Sequence, residues 1–563
     1  MAPIKRGYFF IFAVKQFMRT LAFIVFISIC MIACSSQKEA DLLVFNGTIY
    51  TVDSSFNRAE AMVVKDGKIV ALGRKSDLEK QYACREQMDA AGKFIYPGFI
   101  DAHAHFVGYA RGLSELDLTG APSWEDVLHR FSDYKTGDTS GWIIGRGWDQ
   151  NDWPVKEFPT NEELNKRYPD RPVYLVRIDG HAAIANNKAL ELAGVKAGDT
   201  ITGGEYQTKN GVLTGILIDN AMDKVVSRIP EPSLEALKAA LHRAEANCFE
   251  QGLTSIHDCG LGYDMVEKME ALQKSGDLKM RLYVMLSDAK QNYDYLLKRG
   301  IIKTGRMHVR GFKIFSDGAL GSRGACLLHD YSDKAGWKGF LLSNPEHFDS
   351  VARFIAGQGW QMCTHAIGDS ANRTVLEIYA KHLKGRNDLR WRIEHAQVIN
   401  SSDFHFFGDY QIVPSVQPTH ATSDMYWAGD RLGKERLKGA YAYLQLLKQN
   451  GWIPLGTDFP VEAISPLKTF FAAVIRKDAE GFPASGFQME NALTREQALR
   501  GMTIWAARAA FEEQEKGSLE PGKLADFVVL DRDLMQTPEA ELLKIKVLKT
   551  YSGGELVFKK KDL

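Results

Sequence analysis

The chain has 563 residues, with 70 Lys+Arg against 70 Asp+Glu, 45% hydrophobic and 11% aromatic residues. This ordinary globular composition excludes disordered, collagen-like and low-complexity architectures. The even charge balance argues against a nucleic-acid binder, which carries a basic excess or a basic stripe.

Residues 1–33 hold Lys5, Arg6, Lys15 and Arg19 and no acid, and the run from Leu21 to Ala33 is almost wholly apolar. A basic flank, a short apolar core and a small residue before the break make a secretory signal peptide over 1–33. The core is shorter than the about 20 residues a spanning helix needs. Met18 offers a second possible start within it. The run Met31-Ile32-Ala33-Cys34-Ser35-Ser36 resembles a bacterial lipobox, with Met31 where that motif usually has Leu. The resemblance implies cleavage before Cys34, a lipid on that residue, and a tether over 34–40. The chain is then expected to be exported and held at a membrane of the bacterial envelope. Cysteines 84, 248, 259, 326 and 363 are odd in number and show no CxxC spacing, so burial as small apolar residues is expected rather than a disulfide framework.

Residues 41–72 read as two hairpins, around Asn46-Gly47 and Asp66-Gly67, and Gly553-Gly554 marks a third near the other end. Neither terminal segment is large enough to fold alone. One β-sandwich built from 41–96 together with 511–563 is expected, with the main domain inserted between.

Within 97–510, short apolar strand signals alternate with helical patterns. The strands are expected at Phe99–His105, Leu253–His257, Leu282–Met285, Val309–Phe315, Gln361–His365, Arg392–His395, Ile412–Val416 and Trp452–Thr457. Helices are expected at Leu234–Glu250, Pro345–Gly357, Ser370–Leu383 and Arg436–Asn450. Eight strands with intervening helices predict an α/β fold, a (β/α)8 TIM barrel. The gap between its first two strands is far too long for a βα loop. Residues 108–243 are therefore a large insertion after strand 1, with strands of its own at Val173–Ile178 and Val212–Ile218. For Trp142, Trp148 and Trp153, packing in a core is favoured over lining a pocket.

Several of these strands end in a metal-competent side chain. His103-Ala104-His105 closes the first, and residues two apart in a strand share a face. His365, His395 and Asp458 close the fifth, sixth and eighth. Strand C-termini converge on one mouth of a barrel, so four imidazoles and a carboxylate meet there, a donor set suited to zinc or a similar divalent ion, one or two of them. Lys313, on the fourth strand, points to the same mouth. It either pairs with Asp317 or another acid or, as a neutral amine, adds carbon dioxide to form a carbamate that bridges two metals.

Together these segments resemble the amidohydrolase superfamily, in the branch that contains N-substituted formamide deformylases. The matching stretches are Tyr96–His105, Lys313–Ser322, Thr364–Asp369, Arg392–His395, Gly456–Pro460 and Gly517–Asp526. The resemblance implies that His103, His105 and Asp458 hold the more buried metal, that carboxylated Lys313 bridges, and that His365 and His395 hold a second. It implies hydrolysis of a C–N bond in a small molecule by metal-bound hydroxide, with Asp458 as general base and then acid. Substrate contacts are expected from His181 in the insertion, from His257 and from Asp317, each weighed against a purely structural place. The competing expectations are a binding protein that kept the fold and lost the chemistry, and a metal-dependent esterase or isomerase on the same barrel.

Overall fold

The computed structural model describes residues 37–131 and 141–561, together with Lys15, Gln16 and Met18. Apart from those three residues, the expected signal segment, and with it Cys34, lies outside the described residues.

Seven parallel strands form the barrel wall: β1 (Phe99–Ala104), β2 (Leu253–Leu261), β3 (Arg281–Ser287), β4 (Met307–Phe315), β5 (Gln361–Ala366), β6 (Arg392–His395) and β7 (Val413–Ser415). Each pairs with its neighbour in chain order. The eighth expected strand, 452–457, is not a strand. It closes the ring as an irregular segment: Gly456 N donates to Val416 O at 3.0 Å and Ala102 N to Leu455 O at 3.1 Å. The reason is how tightly it packs on β1. A Cβ on Gly456 would lie 2.5 Å from the His103 nitrogen, and Thr457 donates to the Asp101 carboxylate through its backbone and its hydroxyl, at 3.0 and 2.6 Å. Side-chain hydrogen bonds thus replace a ladder at this seam.

Amphipathic helices cover the wall. Leu234–Glu250 is capped by Ser233 and buries Leu237, Leu241, Ala244 and Phe249; Pro345–Gln358 is capped by Asn344 and stopped by Gly359 in the left-handed region. The single helix expected over 436–450 is two, Ala428–Leu437 and Tyr443–Asn450. Between them the chain dips to pair Ala440 with Val398, and Tyr441 takes a φ of 53°.

The termini build two stacked sheets. One holds Lys38–Phe45, Ala61–Lys65, Lys68–Gly73 and Tyr82–Asp89. In the other, Phe527–Leu530 pairs antiparallel with Phe94–Pro97 and joins the two ends of the chain. Leu42, Val44, Met62, Val64, Phe527 and Val529 fill the space between them. Asp66-Gly67 and Gly553-Gly554 close hairpins, each with positive φ at both residues. Asn46-Gly47 does not. Only Asn46 has positive φ, and the chain there crosses from one sheet to the other. Gly47 serves close approach instead, since a Cβ would meet Ala90 and Lys93 at 2.8 Å.

The insertion carries a six-stranded sheet of its own, with Leu116–Asp117, Ile143–Trp148, Ala182–Ala185 and Gly204–Lys209 beside the two expected strands. Trp142, Trp148 and Trp153 are buried in the apolar clusters on its two faces. It rests on the barrel through Arg431, which donates to Asn151 Oδ1 at 2.9 Å, and through Asn220, which donates to Leu342 O at 3.0 Å.

Candidate metal centre and its cavity

Strand alternation turns Asp101 and His103 inward from β1, Lys313 from β4, and Cys363 and His365 from β5. Two residues reach the same place by breaking the alternation. His395, at the end of β6, has φ 72°, and Asp458, just past the closing segment, has φ 66°. Left-handed backbone at residues other than glycine costs energy and concentrates at functional sites.

His103, His395 and Asp458 are buried, with one donor atom from each lying within 4.8 Å of the others. Asp458 Oδ1 lies 3.4 Å from His103 Nε2 and 3.3 Å from His105 Nε2, and it has no hydrogen-bond partner among the described residues. Lys313 Nζ is 3.2 Å from His103 Nε2, and among the described residues no carboxylate forms an ion pair with it. Of the two alternatives for Lys313, the ion pair with Asp317 or another acid is absent among the described residues. His365 stands against His395 with ring centroids 4.6 Å apart. The six residues expected to hold metal are therefore gathered at one rim, with His103, His395 and Asp458 at the centre.

The ring nitrogens that face away from the centre are held by the protein. His103 Nδ1 donates to Glu394 at 2.5 Å, His105 Nδ1 to the Cys259 carbonyl at 3.2 Å, and His395 Nδ1 to Gln417 Oε1 at 2.7 Å. Such partners fix the tautomer and turn Nε2 toward the centre. Burial and the nearby Lys313 cation push His103 down to about 4. Burial first, and then the crowding of other imidazoles and Lys313, hold His365 and His395 well below their ordinary value. Neutral imidazoles are the metal-binding form. Burial alone would raise Asp458, but His103, His105 and His395 outweigh it and hold its carboxyl well below the usual range. An orphaned carboxylate oxygen and neutral imidazoles fit a divalent cation.

Glu394 supports the centre from within the wall. Arg392 pairs with it at 2.6 Å and also donates to the Ala102 carbonyl and the Ser415 hydroxyl. Burial opposes its ionisation, but Arg392 and then His103 outweigh that and hold it at about 2.

Above the centre opens a cavity of ≈ 1120 Å³ between the barrel mouth and the insertion, lined by His105, His181, Lys313, His365, His395 and Asp458 among others. His181 reaches it from the insertion. Its Nδ1 is 2.6 Å from Asp219 Oδ1, and its ring is 4.9 Å from that of His365. Asp219 is clasped by the loop after β4, where a Cβ on Gly318 or Gly324 would meet its carboxylate at 2.3 or 2.5 Å. Two of the expected substrate contacts do not reach the cavity. His257 is wholly buried, with Nδ1 3.2 Å from an Arg392 nitrogen. Asp317 is wholly buried and accepts the backbone N–H groups of Cys326, Ile367 and Gly368 at 2.8–3.0 Å, tying two mouth loops together.

Four groups at the site were not singled out from the sequence. Glu394 sits inside the Arg392–His395 stretch with nothing local to mark its role. Asp219 ends a strand of the insertion, whose place over the mouth cannot be read from spacing. His420 lies 3.6 Å from Asp458 Oδ2 and stacks on His395, although it ends no predicted strand. It rides a helix that begins at Pro418, directly after β7. Arg146 lies on an insertion strand that its glycines hide from the sequence pattern.

A parallel barrel with buried histidines and an aspartate around an ion site at its C-terminal mouth defines a metal-dependent hydrolase. The sequence profile of the amidohydrolase family (amidohydrolase-3) matches residues 86–558, and the chain belongs to that family. It is similar to the protein LONG AFTER FAR-RED 3 of Arabidopsis thaliana, at 33% identity over 92% of each chain. It is 26% identical to the N-substituted formamide deformylase of Arthrobacter pascens, over 92% of this chain and 98% of that one. Among solved structures, an uncharacterized metal-dependent hydrolase from Pyrococcus horikoshii superposes with a TM-score of 0.73 at 28% identity, covering 88% of this chain and 99% of that one.

Proposed function

We propose that the protein hydrolyses a C–N bond of an amide-type small molecule. The observation that carries this reading is the buried group of His103, His395 and Asp458 beside an unpaired Lys313 on the floor of a large cavity. His103, His105 and Asp458 would hold one divalent ion, zinc being the ion this donor set suits. His365 and His395 would hold a second, with Lys313 bridging as its carbamate. The ion's chemistry is to lower the pKa of a water and to polarise the scissile carbonyl.

The chain's own groups do the rest. Asp458 accepts the proton of the attacking water and delivers it to the departing nitrogen. His181, steadied by Asp219, donates from Nε2 to the substrate carbonyl oxygen. Glu394 and Gln417 keep His103 and His395 aimed. The full donor set weighs against a binding protein that lost the chemistry.

The test is Asp458→Asn on a panel of amides and esters with metal-loaded protein. Loss of amide turnover with retained metal supports the reading, and unchanged turnover removes it. An intact mass one carbon dioxide above the sequence, absent from Lys313→Ala, checks the bridge. We further propose export and anchoring at the bacterial envelope through a lipid on Cys34. Cys34→Ser should move the protein from the membrane to the soluble fraction.

A further inference from the structure

The cavity holds a cation that nothing above uses. Arg146 lies on the insertion strand Ile143–Trp148 and lines the cavity that also holds Asp458 and Lys313. The strand slips register between Arg146 and Trp148, and Gly147 at the slip has φ 114°. A Cβ on Gly147 would meet Thr119 at 2.5 Å, so only glycine fits this bulge. Arg146 itself stays in register with Val176, the last regular pair before the bulge, and its guanidinium lies at the cavity wall.

Arg146 Nη2 donates to the Ile178 carbonyl at 2.9 Å, and Nε is buried without a hydrogen-bond partner among the described residues. Among the described residues no carboxylate lies within ion-pair distance of Arg146, and Glu115, Asp179 and Asp458, which line the same cavity, act on it only from further away. The neighbouring Arg177 is different: Asp149 and Asp179 grip it from both sides. A partly buried guanidinium left with spare donors in a cavity is costly unless something anionic completes it. The planar fork suits a carboxylate. Leu113, Phe315, Leu320 and Trp427 line the same cavity, offering apolar surface to a spacer.

We propose that Arg146 forms a carboxylate-binding subsite, so that the substrate is an amide carrying a carboxylate arm linked to the scissile bond by an apolar spacer. This rests on the hydrolase reading for the amide end and on Arg146 alone for the carboxylate end.

The test is equilibrium binding, by calorimetry, of the half-amides of succinic, glutaric and adipic acid to the metal-loaded protein, against the corresponding diamides. At least one half-amide should bind about 10–100-fold more tightly than its diamide, the worth of a charge-assisted hydrogen bond. One spacer length should be preferred. Arg146→Gln should bring the ratio of half-amide to diamide affinity close to one, and Arg146→Lys should keep part of it. Equal affinity for both members, a preference that survives Arg146→Gln, or no binding of any half-amide overturns the subsite. Turnover of neutral amides by the same preparation would then leave the hydrolase reading standing, so the two can fail separately.

Discussion

Replacing Glu394 with Gln removes one charge from the barrel wall and preserves its shape. Two losses follow. His103 Nδ1 would then face a neutral amide in place of a carboxylate at 2.5 Å. Partners of this kind are worth about 10–100-fold in metal affinity, or about 1.4–2.8 kcal/mol. Arg392, with no exposed surface and paired at 2.6 Å, would also lose its counter-charge. Breaking one side of a buried pair costs about 3–5 kcal/mol. The same contacts show in the depressed carboxyl. Holding the Glu394 carboxyl at about 2 against its ordinary 4.5 contributes about 3 kcal/mol at neutral pH. The sign is that of a depressed acid: the stabilisation is complete above about pH 4.5 and is lost as pH falls towards 2. The assays are competitive titration of the apo protein with metal against a chelating indicator, and thermal melting of apo protein across the acid range. Glu394→Gln should bind metal more weakly, melt lower at neutral pH and show a flatter acid limb. Wild-type metal affinity together with a wild-type melting curve would refute the role given to this carboxylate.

Gly456→Ala should cost about 1–3 kcal/mol by overpacking and should also weaken metal binding. The atom its Cβ meets at 2.5 Å is the backbone nitrogen of His103, which cannot yield without moving a ligand. His181→Gln and Asp219→Asn should each lower kcat by about 10²–10³, with the double variant no worse than either single, because the pair acts as one unit. Additive losses would separate them. Supplying metal at a hundred times its Kd should stabilise the folded protein by about 2.7 kcal/mol over the chelated form. Calorimetry with and without chelator reads this, and an unchanged Tm would argue that no ion is held.

Much of the barrel was legible because its strands are short apolar runs that end in unusual residues. His103, His365, His395 and Asp458 stood out by sitting at those ends. The alternation rule places His103, Lys313 and His365, but it would turn His395 outward. Only left-handed backbone at His395 and Ala396 brings that ring in, and no local pattern announces it. The closing segment read as a strand because Trp452–Thr457 is apolar. Its pairing is with the Asp101 carboxylate and the β1 backbone, contacts more than 350 residues distant in sequence. Four insertion strands escaped notice because Ile143–Trp148 is broken by glycines, Ala182–Ala185 is mostly alanine, Gly204–Lys209 is polar and Leu116–Asp117 is two residues long. The same opacity hid Arg146 and Asp219, which matter only once the insertion is seated over the mouth.

The central claim is that divalent metal is held at the rim where His103, His395 and Asp458 converge, with His105 and His365 beside them. Anomalous diffraction from zinc-loaded crystals tests it most directly. The peak is predicted about 2.0–2.2 Å from His103 Nε2, His395 Nε2 or the Asp458 carboxylate, within reach of Lys313. Zinc bound in stoichiometric amount with its peak away from all three would contradict the account.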